Sequence, residues 1–101
     1  WCSPLGRMDR GWQVRAEARQ FIQKPPGAYL RSFYYDCLTQ SEPALRYLID
    51  TVSADRVVMG TDWPADMGTD WPVSTLLEMD SLTQEEKDLI LWKNLERLLG
   101  L

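Results

Sequence analysis

Residues 56–64 read RVVMGTDWP, and this stretch is the strongest indication of the fold class. Val57 to Met59 form a short apolar run without polar alternation, which is typical of a strand buried on both faces of a parallel sheet. The run ends abruptly at Asp62, in a loop that contains glycine and proline. Because parallel α/β enzymes place their chemistry at the carboxyl ends of strands, Asp62 is the principal candidate for a site residue.

A carboxylate in this position has several possible roles. It can bind a metal ion, act as a general base or orient a histidine, and it can also simply cap a turn. The whole sequence contains no histidine. We therefore interpret Asp62 as one ligand of a metal site whose other ligands lie elsewhere, in an N-terminal part that precedes this chain.

The motif occurs twice, as MGTDWP at residues 59–64 and again at 67–72. The second copy has no apolar strand before it. Asp62 and Asp70 are therefore unequal candidates, and the position at the end of a strand favours Asp62.

The remaining pattern alternates helices with strands. Residues 1–11 are expected to be a loop, 12–23 a helix, 28–32 a helical turn and 33–38 a strand. Ser41 is the expected N-cap of a helix to Val52 that buries Leu45, Leu48, Ile49 and Val52. Residues 56–59 form the second strand, 60–72 a loop and 73–79 a short helix.

The last predicted helix starts with a capping box, in which Thr83 and Glu86 satisfy each other's backbone N–H groups. It runs to about Leu99 and ends at Gly100. Its predicted apolar face comprises Leu91, Trp92, Leu95, Leu98 and Leu99. The order of elements indicates an α/β fold with two main parallel strands and about four helices. Two strands with free edges are a poor independent sheet, so the chain needs either a missing part or copies of itself.

Composition excludes several classes of protein. A net charge of −4 argues against a nucleic-acid partner, which requires a basic face. No apolar run approaches the roughly 18 residues that span a membrane, and the N-terminus lacks the pattern of a secretory signal. Cys2 and Cys37 form no CxxC pair and fit a reducing cytoplasm, although a disulfide between them stays open.

Residues 56–66, RVVMGTDWPAD, closely resemble the last-strand motif of the amidohydrolase-2 family, which includes metal-dependent hydrolases and decarboxylases related to aminocarboxymuconate-semialdehyde decarboxylase. The resemblance extends over nearly the whole chain. It includes GR at residues 6–7, RGW at 10–12, FYYD at 33–36 and NLERLLGL at 94–101.

The resemblance implies that residues 1–101 are a single partial domain, the C-terminal βα units of a (β/α)8 TIM barrel. It implies that Asp62 is a metal ligand and catalytic residue, in a parent that holds a divalent metal, expected to be zinc. Arg7 would bind a substrate carboxylate in the neighbouring subunit of a homodimer, and Trp63 would line the pocket mouth. The absent part would supply the metal-binding histidines.

Two hypotheses follow. In the first, the chain is the C-terminal piece of an enzyme that decarboxylates a small carboxylic acid or hydrolyses a C–N or C–O bond. In the second, it is a truncated, non-catalytic module that self-associates. One carboxylate cannot hold zinc tightly, since a catalytic site needs three protein ligands. The chain alone is therefore expected to bind no metal tightly and to be inactive, and the repeated GTDWP is expected to remodel the loop after the last strand.

Overall fold

The apolar run at residues 57–59 forms a strand, β2 (Val57–Val58), beside an earlier strand, β1 (Tyr35–Asp36). The two strands are parallel, with Tyr35 opposite Val57 and Asp36 opposite Val58. They come from a computed structural model that describes the backbone of residues 2–101 and the side chains of residues 4–101. The described residues divide into two compact units, one reaching to Phe33 and the other spanning Tyr34–Leu101. The single partial domain expected over residues 1–101 stays a prediction.

The first unit differs from the sequence-based prediction. The loop predicted over residues 1–11 is instead a helix, α1 (Cys2–Val14), followed by two 3-10 helices at Ala16–Arg19 and Pro26–Ser32. Pro4 does not prevent the helix, because it lies in the first turn, where N–H groups have no helical partner. The Asp9 carboxylate accepts a hydrogen bond from the Gly27 N–H at 2.7 Å, which holds α1 against the second 3-10 helix.

The helix predicted over residues 12–23 is wrong for most of its length. The backbone becomes extended at Arg15, directly after α1 ends. Phe21, which helped to create the apparent periodicity, is 94% exposed, so no buried face supports a continuous helix there. The helical turn expected at residues 28–32 is confirmed by the second 3-10 helix.

The second unit contains the βα arrangement that the sequence predicts. Helix α2 (Glu42–Val52) connects β1 to β2, with the Ser41 hydroxyl accepting from the Ala44 N–H as its N-cap. All four predicted apolar positions of α2 are buried, and with residues of neighbouring elements they form the core: Leu45, Leu48, Ile49, Val52, Ala54, Val57, Leu76, Leu82 and Ile90.

Both strands are shorter than predicted. Residue 56 ends a 3-10 turn (Ala54–Arg56) instead of starting the strand, and β1 covers only two of the six residues assigned to it. The reason is that strand geometry persists only where a partner is hydrogen-bonded, and β1 and β2 are each other's only partner within the described residues.

Helix α3 (Pro72–Leu77) follows the loop, close to the predicted position. The capping box at Thr83 and Glu86 is confirmed, and it starts α4 (Gln84–Asp88). A π-helical turn (Leu89–Lys93) then leads into α5 (Asn94–Leu99), which ends at left-handed Gly100.

The predicted apolar face of the last helix is wrong. None of its five residues is buried, whereas Ile90 and Asn94 are fully buried. The physical reason is the π-helical turn, which inserts an extra residue per turn and rotates the following side chains. No helix among the described residues is long and apolar enough to cross a membrane.

Candidate active site at the strand ends

The carboxyl ends of β1 and β2 lie side by side, because the strands are parallel. Gly60, two residues after β2, packs directly against Asp36 at the end of β1: a Cβ atom at position 60 would lie 2.9 Å from the Asp36 Cβ. The Asp36 carboxylate accepts from the Leu38 N–H at 2.9 Å, which turns the chain after β1. Glycine is therefore needed at position 60 for the two strand ends to approach so closely.

Asp62 lies immediately beyond this contact and is exposed. Its φ angle is +57°, in the left-handed region that only glycine, asparagine and aspartate visit readily. The structure thus places the candidate carboxylate at the carboxyl end of β2, as the sequence predicts.

The two copies of the motif meet in one closed loop. The Thr69 N–H of the second copy donates to the Thr61 carbonyl of the first at 2.9 Å. Within the loop, the Ala65 N–H donates to the Asp62 carbonyl and the Gly68 N–H donates to the Ala65 carbonyl. The peptide bond between Trp63 and Pro64 is cis.

The two aspartates have different surroundings as a result. Asp62 follows β2 directly, whereas Asp70 is exposed and precedes α3, whose first residue is Pro72. Trp63 is 79% exposed on the closed loop and lies outside the lining of the nearby cavity. Its predicted place at the mouth of a substrate pocket stays a prediction.

A cavity of about 520 Å³ lies beside the strand ends. Its lining includes Gly60, Thr69 and Cys37, together with residues of α2, α3 and the β1–α2 loop. Gln40, with φ +58°, donates from Nε2 to the Met67 carbonyl at 2.6 Å and so ties the β1–α2 loop to the closed loop. The lining has hydroxyl and acidic side chains but no basic one, so by itself it offers no cationic group for a carboxylate.

Cys37 has a free thiol at the edge of this cavity, with Sγ 3.7 Å from the Met59 Sδ. Burial raises the pKa of the thiol, and the nearby Asp36 charge raises it further, against a hydrogen bond from the Gly60 backbone that lowers it. A raised pKa keeps the thiol protonated, which argues against a nucleophilic role. The thiol predicted at Cys2 lies outside the described side chains.

Arg7 belongs to the first unit. It is exposed on α1, where the sequence predicted a loop. Its predicted contact with a substrate carboxylate stays a prediction.

The residues present do not make a metal site by themselves. Across residues whose side chains are described, no group of three or more His, Cys, Asp or Glu lies close enough to hold a metal ion. Asp62 is a single exposed carboxylate, and zinc needs at least three protein ligands. Any metal would therefore need ligands beyond the side chains described in residues 4–101.

Sequence reasoning missed Asn94, Asp36 and Gln40 as structural partners of the site. The side-chain amide of Asn94 is fully buried against the β2 segment, with two hydrogen bonds of 2.7 Å. Its sequence neighbours Lys93, Glu96 and Arg97 are also polar, so no local signal distinguishes Asn94 from them.

Comparison of the sequence with known proteins finds one family and two relatives that match nearly the whole chain. The sequence profile of a family described as amidohydrolase matches residues 4–101. The chain is 28% identical over 97 residues to the 2-amino-3-carboxymuconate-6-semialdehyde decarboxylase of Caenorhabditis elegans, and 26% identical over 98 residues to that of Dictyostelium discoideum. It spans only 24% and 27% of the lengths of these relatives.

A solved structure supports the fold. The chain is similar to the apo form of Metarhizium anisopliae IDCase, with a TM-score of 0.70 and 21% identity over 95% of this chain and 30% of that one. This likeness confirms the predicted βα units of a TIM barrel. With nearly all of its residues matched by the family profile, the chain belongs to the amidohydrolase family.

Proposed function

We propose that this chain is the C-terminal part of a metal-dependent enzyme that decarboxylates a small carboxylic acid. The observation that carries the proposal is the position of Asp62, exposed at the carboxyl end of β2 beside the end of β1. This is where barrel enzymes collect their catalytic groups. Both curated relatives are decarboxylases by name, which favours this reaction over hydrolysis of a C–N or C–O bond.

Within the proposal each predicted site residue has a distinct role. Asp62 contributes one carboxylate ligand to a divalent metal ion, zinc in this proposal, whose other ligands come from the rest of the protein. Arg7 offers a planar guanidinium, which binds carboxylates in a bidentate way. Trp63 covers the mouth of the pocket.

The proposal includes a homodimer in the cytoplasm. The dimer is what the family resemblance implies, together with the reach of Arg7 into the neighbouring subunit. Support for the compartment comes from the free thiol of Cys37, which a reducing environment preserves.

A second candidate is a non-catalytic module that associates with copies of itself. It is favoured by the apolar side chains that the last helices leave exposed, above all Leu99 at 65%. Large exposed apolar patches mark surfaces that other protein covers.

The test compares two matched variants in the longer protein proposed here, Asp62→Ala and Asp70→Ala. Removing a residue that hydrogen-bonds a metal ligand typically lowers activity about 10- to 100-fold, and removing the ligand itself lowers it more. Asp62→Ala should therefore lower the metal content and reduce CO2 release by at least about 100-fold. Asp70→Ala, which removes the same group from the second copy, should keep most of the activity. Equal losses would show that the choice between the copies is wrong, and a metal-free wild-type protein without activity would favour the module.

A further inference from the structure

Asn94 is the one polar residue among the fully buried side chains of the described residues. Its Nδ2 donates to the Ala54 carbonyl and to the Val57 carbonyl, each at 2.7 Å. Both N–H bonds of the amide are thereby used. A buried amide with complete hydrogen bonding is held in one position, because any displacement would leave polar groups unpaired in the core at a cost in free energy.

The two acceptors lie on either side of the entry to β2. Ala54 begins the 3-10 turn that leads into the strand, and Val57 is the first residue of the strand itself. Asn94 therefore fixes both the turn and the strand, and Asp62 lies five residues beyond Val57 on the same segment.

The Val57 carbonyl faces the free edge of β2. The Val58 carbonyl accepts from the Cys37 N–H at 2.9 Å, on the side of β1. Successive carbonyls of a strand point to opposite edges, so that of Val57 points away from β1. On that side no strand pairs with β2 within the described residues, and the Asn94 amide donates to the Val57 carbonyl instead.

The surrounding helix orients the amide. The π-helical turn ends directly before Asn94, at Lys93. Arg97 extends the arrangement, with Nη2 donating to the Asp55 carbonyl at 3.1 Å and to the Asn94 Oδ1 at 3.4 Å. π-helical turns inside helices are frequent at functional sites, where they direct a particular side chain.

We propose that Asn94 is a positioning residue, which holds the free edge of β2 in place and thereby sets the location of Asp62 for the reaction. For its link to activity the inference rests on the function proposed above. Asn94 touches neither substrate nor metal in this arrangement, and its effect passes through the Val57 carbonyl and the strand.

The test uses Asn94→Asp in the longer protein, because aspartate has the same shape but cannot donate to either carbonyl when ionised. Asn94→Ser is a milder second variant, in which a hydroxyl can donate to one carbonyl. Leu48→Ala is the matched control: it weakens the core from within α2, and Leu48 takes part in neither hydrogen bond to Ala54 and Val57.

Two readouts separate positioning from general stability. The first is hydrogen exchange at the Cys37 and Thr69 amides, which donate to the Val58 and Thr61 carbonyls of the β2 segment, measured well below the melting temperature. Asn94→Asp should accelerate exchange there by about 10-fold or more, Asn94→Ser by less, and Leu48→Ala should leave these amides unchanged even with an equal fall in melting temperature. The second is steady-state kinetics, in which Asn94→Asp should lower kcat by about 10- to 100-fold with little change in KM.

Equal exchange at Cys37 and Thr69 in Asn94→Asp and Leu48→Ala would overturn the inference, and so would unchanged kcat in an active enzyme. If Asn94→Asp does not fold, the comparison of Asn94→Ser with Leu48→Ala decides in the same way. If the wild-type protein has no activity, the proposed function fails, whereas the exchange measurement still tests whether Asn94 holds the strand.

Discussion

Gly68 is the residue at which the closed loop after β2 has no room for a side chain. A Cβ atom there would lie 2.7 Å from the Thr61 carbonyl oxygen, 3.0 Å from that of Ala65 and 3.1 Å from that of Asp62. All three atoms belong to the backbone, so the clash cannot be relieved by rotating a side chain. The loop must move instead, and with it the junction of the two motif copies.

We therefore expect Gly68→Ala to destabilise the protein by about 1–3 kcal/mol, the usual cost of overpacking. Chemical denaturation measures the loss. Gly11→Ala is the contrasting control, because position 11 lies in α1 with no atom within 4 Å of the added Cβ. Alanine there should stabilise by about 0.5–1 kcal/mol through helix propensity. A neutral Gly68→Ala would show that the loop does not close as described.

Single residues show what the sequence can and cannot reveal about the site. The position of Asp62 after β2 could be predicted, because an apolar strand followed by a carboxylate is visible in the chain itself. Asn94 could not, since its importance comes from carbonyls some 40 residues away in sequence, at Ala54 and Val57. Hydrogen bonds across such separations leave no local pattern.

Helices α2 and α4 are joined by a charged cluster centred on Arg46. Its Nη1 and Nη2 each contact one oxygen of Glu86 at 2.8 Å, and Nη2 also contacts Asp50 at 2.6 Å. Glu86 additionally accepts from the Thr83 N–H in the capping box. The Arg46 guanidinium thereby lowers the pKa of Glu86 from 4.5 to about 2.

This lowered pKa predicts a specific loss of stability in acid. Because the folded state binds the proton more weakly than the unfolded state, the contribution of Glu86 is complete above pH 4.5 and disappears as the pH falls towards about 2. Glu86→Gln should remove that part of the pH dependence between pH 5 and 2, read from denaturation midpoints. Asp50→Asn should change it less, since the Asp50 side chain is 63% exposed. Identical acid profiles for Glu86→Gln and the wild type would contradict the prediction.

Elements were predictable where local chemistry determines them. The α2 helix agrees at its N-cap and its buried face, and the capping box of α4 agrees as well, because both depend on residues within a turn or two. The face of α5 was wrong, because a π-helical turn rotates it, and α1 was missed, because proline and glycine suggested a loop. Neither outcome is encoded in the apolar periodicity.

The whole molecule leaves apolar surface exposed at its C-terminal end. Trp92, Leu98 and Leu99 are each about half exposed or more on the last helices. The chain spans about a quarter of the length of its curated relatives, and a complete barrel needs about 250 residues. The fold class was predictable from the alternation of elements and the family resemblance, whereas exposure of the side chains on the last helices could not be predicted, because the π-helical turn determines which of them face the core.

We predict that the isolated 101-residue chain is metal-free, inactive and self-associated. Metal analysis together with the molar mass in solution tests this against the 11.7 kDa monomer. Leu98→Glu combined with Leu99→Glu should shift the mass towards the monomer, whereas Phe21→Glu, an equally apolar exposed site in the first unit, should not. A monodisperse chain with stoichiometric metal would contradict the prediction and favour the interpretation that the 101-residue chain is an enzyme by itself.

The amide of Asn94 also bears on how the isolated chain can aggregate. Strands with unoccupied carbonyls recruit foreign strands and seed amyloid-like fibrils. On the outer side of β2 the first acceptor, Val57, is already occupied, so an intruding strand must begin at Met59. Only a few residues then remain before the backbone turns at left-handed Asp62. A buried asparagine thus shortens the stretch of β2 with which a foreign strand can pair.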